Sequence, residues 1–600
     1  MHKPRLLAAL IGLLGSTSAL ATGPTGAVFF GDSLTDSGLY TPFLPPGAGR
    51  FTTNPGPVWA EVFAAQHGWN GAPVTQGGSN FAAGGARVTQ LPGIPPSPPT
   101  DNAPPLRTQI SNYLAMNGGV AQTNSLHFVW AGANDIFFIA PTPAAATAYL
   151  QQTTAEAAVE IGRLAAAGAR YIVVMNVPDI GATPFGQSQG AAGAAGLTQL
   201  SSGYNNLLFG SLAAGGVQVL ALDTFSLLRE IQADPQRYGF TNASLPACGA
   251  TPSLLCTEAN LIAPGASETF VFADGVHPTT GAHRVIAEFA DGMLAVPGQI
   301  GQMPEMAVRN QIALSRQLWR NAAINLGSAE IGSLTGWASV SGGSTEVNKL
   351  DASPFALTVG LERRNSDATM AGAALSFNRA KPDWGDTGGY KLQDYSLSVY
   401  GGYRADALSL AGSLSFAKLD YDSDRHMRLG SATRTMRGDT DGSRFAAGVQ
   451  LAYALEHGAL SHGPVASLLH QRVTVTEFDE RASDGSLSTR LSYDMQKRKS
   501  TVLSAGWQAT YQAGAWAPYG AVMLNHDFQA KSRTLRLRTS ASDAWASLPT
   551  VGSTKTYASV SLGALAKLGD RALVDINLDA VPRRKSLEDT RLTASLRMPF

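Results

Sequence analysis

Charge is scarce in this chain: Asp, Glu, Lys and Arg make up 15% of its 600 residues, against about a quarter in soluble domains. Acidic and basic residues number 44 each, so the net charge is zero. That gives no support to a nucleic-acid partner, which wants a concentrated basic face. His, Asp and Glu do not fall into ligand spacings such as His-Glu-x-x-His, and no phosphate-cradling P-loop occurs, so neither a metal nor another cofactor is implied. Cysteine is nearly absent. The two present, Cys248 and Cys256, form a close pair that in an exported protein suggests a small disulfide-closed loop. Neither has the nearby His or helix start that would lower a thiol pKa for catalysis. The N-terminal apolar stretch at 6–14 is shorter than the roughly 20 residues of a spanning helix.

That stretch follows Lys3 and Arg5 and precedes Ala19-Leu20-Ala21, a small-x-small cleavage site. Residues 1–21 therefore read as a secretory leader, with a mature chain starting near Thr22 in the periplasm. Six hundred residues exceed what one core holds, so at least two domains are expected. Residues 22–300 form the first. Short apolar runs at 27–30, 126–130, 171–176 and 217–222 read as buried strands, and Ala-rich stretches at 144–167 and 197–214 read as helices. That alternation predicts an α/β domain with a parallel sheet. Residues 301–333 hold a helix over 303–330 bearing Arg309, Arg316 and Arg320. It reads as an interdomain helix in solvent or, with a barrel following it, as a helix in the barrel's polar lumen, and the lumen reading is the one adopted.

After Gly336 the period becomes two. Leu408, Leu410, Leu414 and Phe416 alternate with Ser409, Ala411, Ser413 and Ser415. Alternation in segments of about ten suits a membrane-spanning barrel, in which every backbone group must pair within the sheet. A soluble β-sandwich is the alternative on pattern alone. The barrel is favoured by the absence of cysteine and by the final Phe600, which resembles the C-terminal signal of outer-membrane barrels, although Pro599 is atypical there. Residues 334–600 then suit about 12 strands.

Chemistry concentrates in four blocks of the first domain. The first strand runs into Gly31-Asp32-Ser33-Leu34-Thr35-Asp36-Ser37-Gly38. A serine leaving a buried strand and entering a helix has free N–H groups around it and a helix start favouring negative charge. The same pattern also suits a plain N-cap. Asp274-Gly275-Val276-His277 offers a base with a carboxylate three residues away to orient it. Of His67, His127, His277 and His283, His127 falls in a strand and His283 on a helix, which favours His277. Gly78-Ser79-Asn80-Phe81-Ala82-Ala83-Gly84-Gly85 and Gly132-Ala133-Asn134-Asp135 offer a backbone N–H and a side-chain amide as oxyanion donors, though each alone is an ordinary turn.

In this order and spacing the blocks resemble the GDSL (SGNH) hydrolase family, its secreted lipase-like branch above all. With the barrel, nearly the whole chain resembles an autotransporter esterase that keeps its passenger attached. The resemblance implies Ser33 as nucleophile, Asp274 and His277 completing a triad, and an oxyanion hole of Ser33, Gly85 (Gly84 close behind) and Asn134. It also implies an acyl-ester or lipid substrate, outer-membrane lipid around the barrel and a barrel-assembly machinery as partner. The enzyme would hydrolyse carboxylic esters at the cell surface. Alternatives are a phospholipase or acyltransferase on the same residues, or an inactive adhesin. Gly186-Gln187-Ser188-Gln189-Gly190 fits the α/β-hydrolase elbow, but no strand immediately precedes Ser188. The pocket walls are expected from the loops at 41–54 and 92–105.

Overall fold

The computed structural model describes residues 23–569, 572–584 and 586–600; the leader expected at 1–21 lies outside them. Four strands, β1 (Gly26–Gly31), β2 (Ser125–Trp130), β3 (Tyr171–Met175) and β4 (Leu220–Leu222), form a sheet in that order. All pairings are parallel. Between and after them run helices α1 (Trp59–Gln66), α2 (Leu106–Met116), α3 (Ala133–Ile139), α4 (Pro143–Ala166), α5 (Pro184–Ser188), α6 (Gly190–Ala214), α7 (Thr224–Ala233), α8 (Ala266–Thr269), α9 (Thr280–Leu294) and α10 (Met303–Ser328).

Because strand side chains alternate in direction, the apolar runs feed two cores. Val28, Phe30, Val129 and Val174 pack with Ile110 of α2, Ile161 of α4 and Leu208 of α6. Phe29, Phe128 and Met175 pack with Trp59 and Phe63 of α1 and with Phe289 of α9. Ligand chemistry in such sheets gathers beyond the strand C-termini, where Ser33 and Asn134 follow β1 and β2.

From Leu334 the chain builds a closed antiparallel barrel of twelve strands, sealed where Leu334–Val347 pairs with Leu587–Pro599. Phe416 and Leu562, each 58% exposed, point outward, whereas Ser415, Arg444 and Arg597 are buried inside. α10 fills the lumen, so the lumen reading of this segment is the one observed. The Arg309 guanidinium lies 2.6 Å from Asp589, and Arg498 lies 2.8 Å from Glu305. The Trp319 indole N–H donates to Ser413 Oγ at 3.1 Å.

Two strands, Leu408–Leu429 and Ala432–Tyr453, run for 22 residues each, about twice the length needed to cross a bilayer. Their upper ends meet the α/β domain. Met427 shares a buried cluster with Phe289 and Met293 of α9, and Arg434 donates to Tyr238 Oη at 2.5 Å. The two halves share one apolar core.

Candidate active site

β1 stops at Gly31, where a Cβ would lie 2.2 Å from the Trp130 carbonyl oxygen; only glycine lets the chain turn there. The helix expected after Ser33 does not form. One turn closes, with the Asp36 N–H donating to the Asp32 carbonyl at 3.0 Å. The carboxylates then capture the following amides: Asp32 accepts from Leu34 at 3.1 Å, and Asp36 from Gly38 at 2.9 Å and Leu39 at 2.7 Å. Side-chain capture of this kind competes with helix propagation, and Gly38, Pro42, Pro45 and Pro46 give no continuation. Local amides, not a helix dipole, therefore surround Ser33.

Ser33 Oγ lies 2.9 Å from His277 Nε2. His277 Nδ1 lies 2.8 Å from Asp274 Oδ2 and 2.9 Å from Oδ1. Asp274 also accepts the N–H groups of Val276 and His277, each at 2.9 Å. Burial by itself would raise the Asp274 pKa, but the adjacent His277 charge and the hydrogen bonds from His277, Ser253 and Val276 outweigh it. They hold the carboxyl well below its usual range.

The other histidines are engaged elsewhere. His283 is fully buried, accepts the Trp59 N–H at 3.2 Å, and is pushed down to about 3 by burial. His127, pushed down to about 4 by burial, pairs with Tyr113 Oη at 2.9 Å. His67 pairs with Asp291 at the surface. Ser188 is exposed in α5 and donates to the Phe185 carbonyl at 2.7 Å.

Residues 79–83 hydrogen-bond along β1, with Phe81 N–H on the Phe29 carbonyl at 2.8 Å and Ala83 N–H on the Gly31 carbonyl at 3.2 Å. That brings the glycine pair beside Ser33. Gly84 N–H is committed to Asp36 Oδ2 at 2.8 Å. The Gly85 N–H has no partner among the described residues. Its φ of +84° and a would-be Cβ contact of 2.8 Å with the Ile94 carbonyl require glycine. Asn134 opens α3 and donates one amide hydrogen to the Ala86 carbonyl at 3.0 Å, leaving the second. Asp135 ties the same strap down by accepting the Val88 N–H at 2.9 Å. Burial next to Ser33 lifts Asp32 to about 7 and, further along, Asp36 to about 6, against the opposing effect of the amides they accept.

Ser33, Gly85, Asn134 and His277 line one cavity of about 1130 Å³. The loops expected to wall it supply only Phe51, Ile94 and Pro95. Most of the wall comes from helices, including Leu150 of α4, Leu200 of α6 and Leu227 of α7. Which helix faces turn inward is set by packing across the domain, so local sequence did not reveal it.

Ser253 was not foreseen. It sits in the loop closed by the Cys248–Cys256 disulfide. Its N–H donates to Asp274 Oδ2 at 2.8 Å, and its Oγ lies 3.0 Å from His277 Nδ1. Asn54 holds the loop in place by donating to the Ser253 carbonyl at 2.8 Å. A serine between two close cysteines was the only available hint. Ser253→Ala is expected to lower kcat about tenfold with KM unchanged, since hydrogen bonds to charged groups contribute about 1.5–3 kcal/mol and the backbone bond survives. Ser253→Thr should restore most of the loss. Steady-state hydrolysis of p-nitrophenyl butyrate checks both, and an Ala variant with wild-type kcat would make the hydroxyl idle.

Comparison with known proteins adds two family matches. Residues 28–290 match the GDSL-like Lipase/Acylhydrolase family, and residues 332–579 match the Autotransporter beta-domain. Esterase EstA of Pseudomonas aeruginosa is 29% identical over 580 residues, covering 86% of each chain. Lipase 1 of Photorhabdus luminescens is 24% identical over 578 residues, covering 84% of this chain and 85% of its own. Among solved structures, the translocator domain of the autotransporter NalP from Neisseria meningitidis aligns with 49% of this chain and 98% of its own, at 16% identity and a TM-score of 0.40.

Proposed function

Residues 28–290 belong to the GDSL-like lipase and acylhydrolases and residues 332–579 are an autotransporter β-domain, and from that premise we propose that Ser33, His277 and Asp274 are the catalytic triad. The chain is a carboxylic ester hydrolase of the esterase/lipase type. Its barrel lies in the outer membrane and its α/β domain is exposed at the cell surface.

In the proposed mechanism Ser33 Oγ attacks the acyl carbonyl while His277 Nε2 takes its proton. Asp274 holds Nδ1–H and stabilises the imidazolium that forms. The N–H groups of Ser33 and Gly85 and the free amide hydrogen of Asn134 receive the oxyanion. The proton on Nε2 then passes to the leaving alcohol. Water, activated by the same imidazole, releases the acid from the acyl-enzyme. The single observation that carries this reading is the 2.9 Å contact between Ser33 Oγ and His277 Nε2, made across 244 positions of sequence. Asn134→Ala should cost roughly 10² to 10³ in kcat, the usual loss for one oxyanion donor. The committed Gly84 N–H favours Gly85 as the backbone donor.

A leader at 1–21, an enzyme domain at 22–300, a lumen segment at 301–333 and a barrel at 334–600 make up the proposed division, with the barrel-assembly machinery as a partner in insertion. The apolar cavity suits an acyl chain, which keeps a phospholipid among the substrates to be tried. Intact cells should release p-nitrophenol from p-nitrophenyl butyrate and lose that activity after protease treatment. Activity that resists the protease in full would contradict an exposed, accessible enzyme.

A further inference from the structure

α7 stands between the enzyme and the barrel. Its inner side presents Thr224, Leu227, Leu228 and Ile231 to the catalytic cavity. Its two ends are held from the barrel side. Asp223 caps the helix by accepting the Ser226 N–H at 3.0 Å with Oδ1, while Oδ2 accepts the Ser540 hydroxyl at 2.8 Å. Near the other end, Glu230 accepts the N–H groups of Leu487 at 2.7 Å and Ser488 at 2.9 Å, and the Ser488 hydroxyl at 2.6 Å. It also lies 3.0 Å from the buried Arg434 guanidinium.

The same barrel segment covers the sheet. β4 is an edge strand, and the hairpin Thr534–Thr539/Ala546–Pro549 lies against it. Leu535, Leu537 and Leu548 of the hairpin share a buried cluster with Leu220, Leu222 and Leu227. An uncovered edge would be a liability. A helix of 10 residues has little intrinsic stability, and its position depends on what it docks against.

We infer that the barrel's outer loops are a structural part of the enzyme: by gripping α7 at Asp223 and Glu230 they fix the cavity wall against which longer acyl chains lie. This rests on the reading that esters react at Ser33 in that cavity. A short acyl group stays near Ser33 and needs no such wall. A long one gains binding from the apolar side chains of α7, and that gain depends on their placement.

The test uses the full-length protein in the outer membrane, with surface-displayed amounts equalised by antibody. kcat/KM is measured for p-nitrophenyl acetate and p-nitrophenyl dodecanoate in wild type, Glu230→Ala/Ser540→Ala and Ser33→Ala. The double variant should lose about tenfold on the dodecanoate, mainly through KM, while the acetate changes by less than about twofold, in line with the value of a few methylene contacts. Ser540→Ala alone should move the ratio the same way if the double variant fails to assemble. An unchanged ratio of the two esters, whether both fall together or neither falls, overturns the inference. Activity surviving in Ser33→Ala would instead overturn the reading of the active site.

Discussion

Ser33→Ala is expected to lower kcat for acyl esters by about 10⁴-fold or more while leaving the barrel and the amount of displayed protein unchanged. The size follows from how a triad works. Its members act as one unit, so removing the nucleophile forfeits covalent catalysis and leaves the modest rate supplied by the oxyanion donors and binding. Among the described residues no other hydroxyl takes the same position: His277 Nε2 faces Ser33, and Ser188, the alternative serine that matches a nucleophile motif, donates to the Phe185 carbonyl and has no histidine partner. Ser188→Ala should therefore hydrolyse p-nitrophenyl butyrate at the wild-type rate. A reversed pair of results would move the nucleophile to α5. Folding is not at issue, since alanine removes one oxygen from a turn already braced by Asp32 and Asp36.

The second large effect is expected at Asp274→Asn, about 10⁴-fold in kcat. Asp274 accepts Nδ1–H of His277 and so leaves Nε2 unprotonated, ready to take the Ser33 proton. An amide at this position can turn its NH₂ toward Nδ1, which places the ring hydrogen on Nε2 and faces Ser33 with a donor. The carboxylate is held ionised by His277, Ser253 and Val276 against the opposing effect of burial. Its folded value is depressed, so its contribution to stability is present above the ordinary carboxylate range and is lost only as pH falls through the lower folded value. The wild type should thus keep an oriented imidazole in mild acid, whereas the Asn variant should be slow at every pH. A profile of kcat from mild acid to mild base checks this; wild-type turnover in Asp274→Asn would remove the aspartate from the mechanism.

Parts of this architecture were legible because the relevant physics is local. Asp274 and His277 sit three residues apart on one loop, so their pairing needed no knowledge of the fold. The barrel was legible in part from alternation, since lipid outside and a polar lumen inside impose a period of two, as in the Leu408-to-Phe416 run; the choice over a sandwich came from the missing cysteine and the final Phe600. α10 could be outlined, but its place in the lumen depended on charges 200 to 300 positions away, such as Asp589 for Arg309.

What stayed hidden depends on tertiary placement. The helix expected after Ser33 was displaced by Asp32 and Asp36, whose short side chains reach the amides first. Ser253 enters the site because a disulfide and Asn54 fold its loop inward, and no spacing pattern encodes that. The cavity walls come from helix faces whose orientation is decided by packing on the sheet and, for α7, by the barrel.

Labelling with a fluorophosphonate, followed by peptide mapping of the surface-exposed protein, tests the central claim most directly. The reagent bonds only to a serine whose hydroxyl is activated by a neighbouring base. The adduct should fall on Ser33 in the wild type, and should vanish in His277→Ala although Ser33 is still present. An adduct on another serine, or equal labelling of Ser33 without His277, would contradict the account.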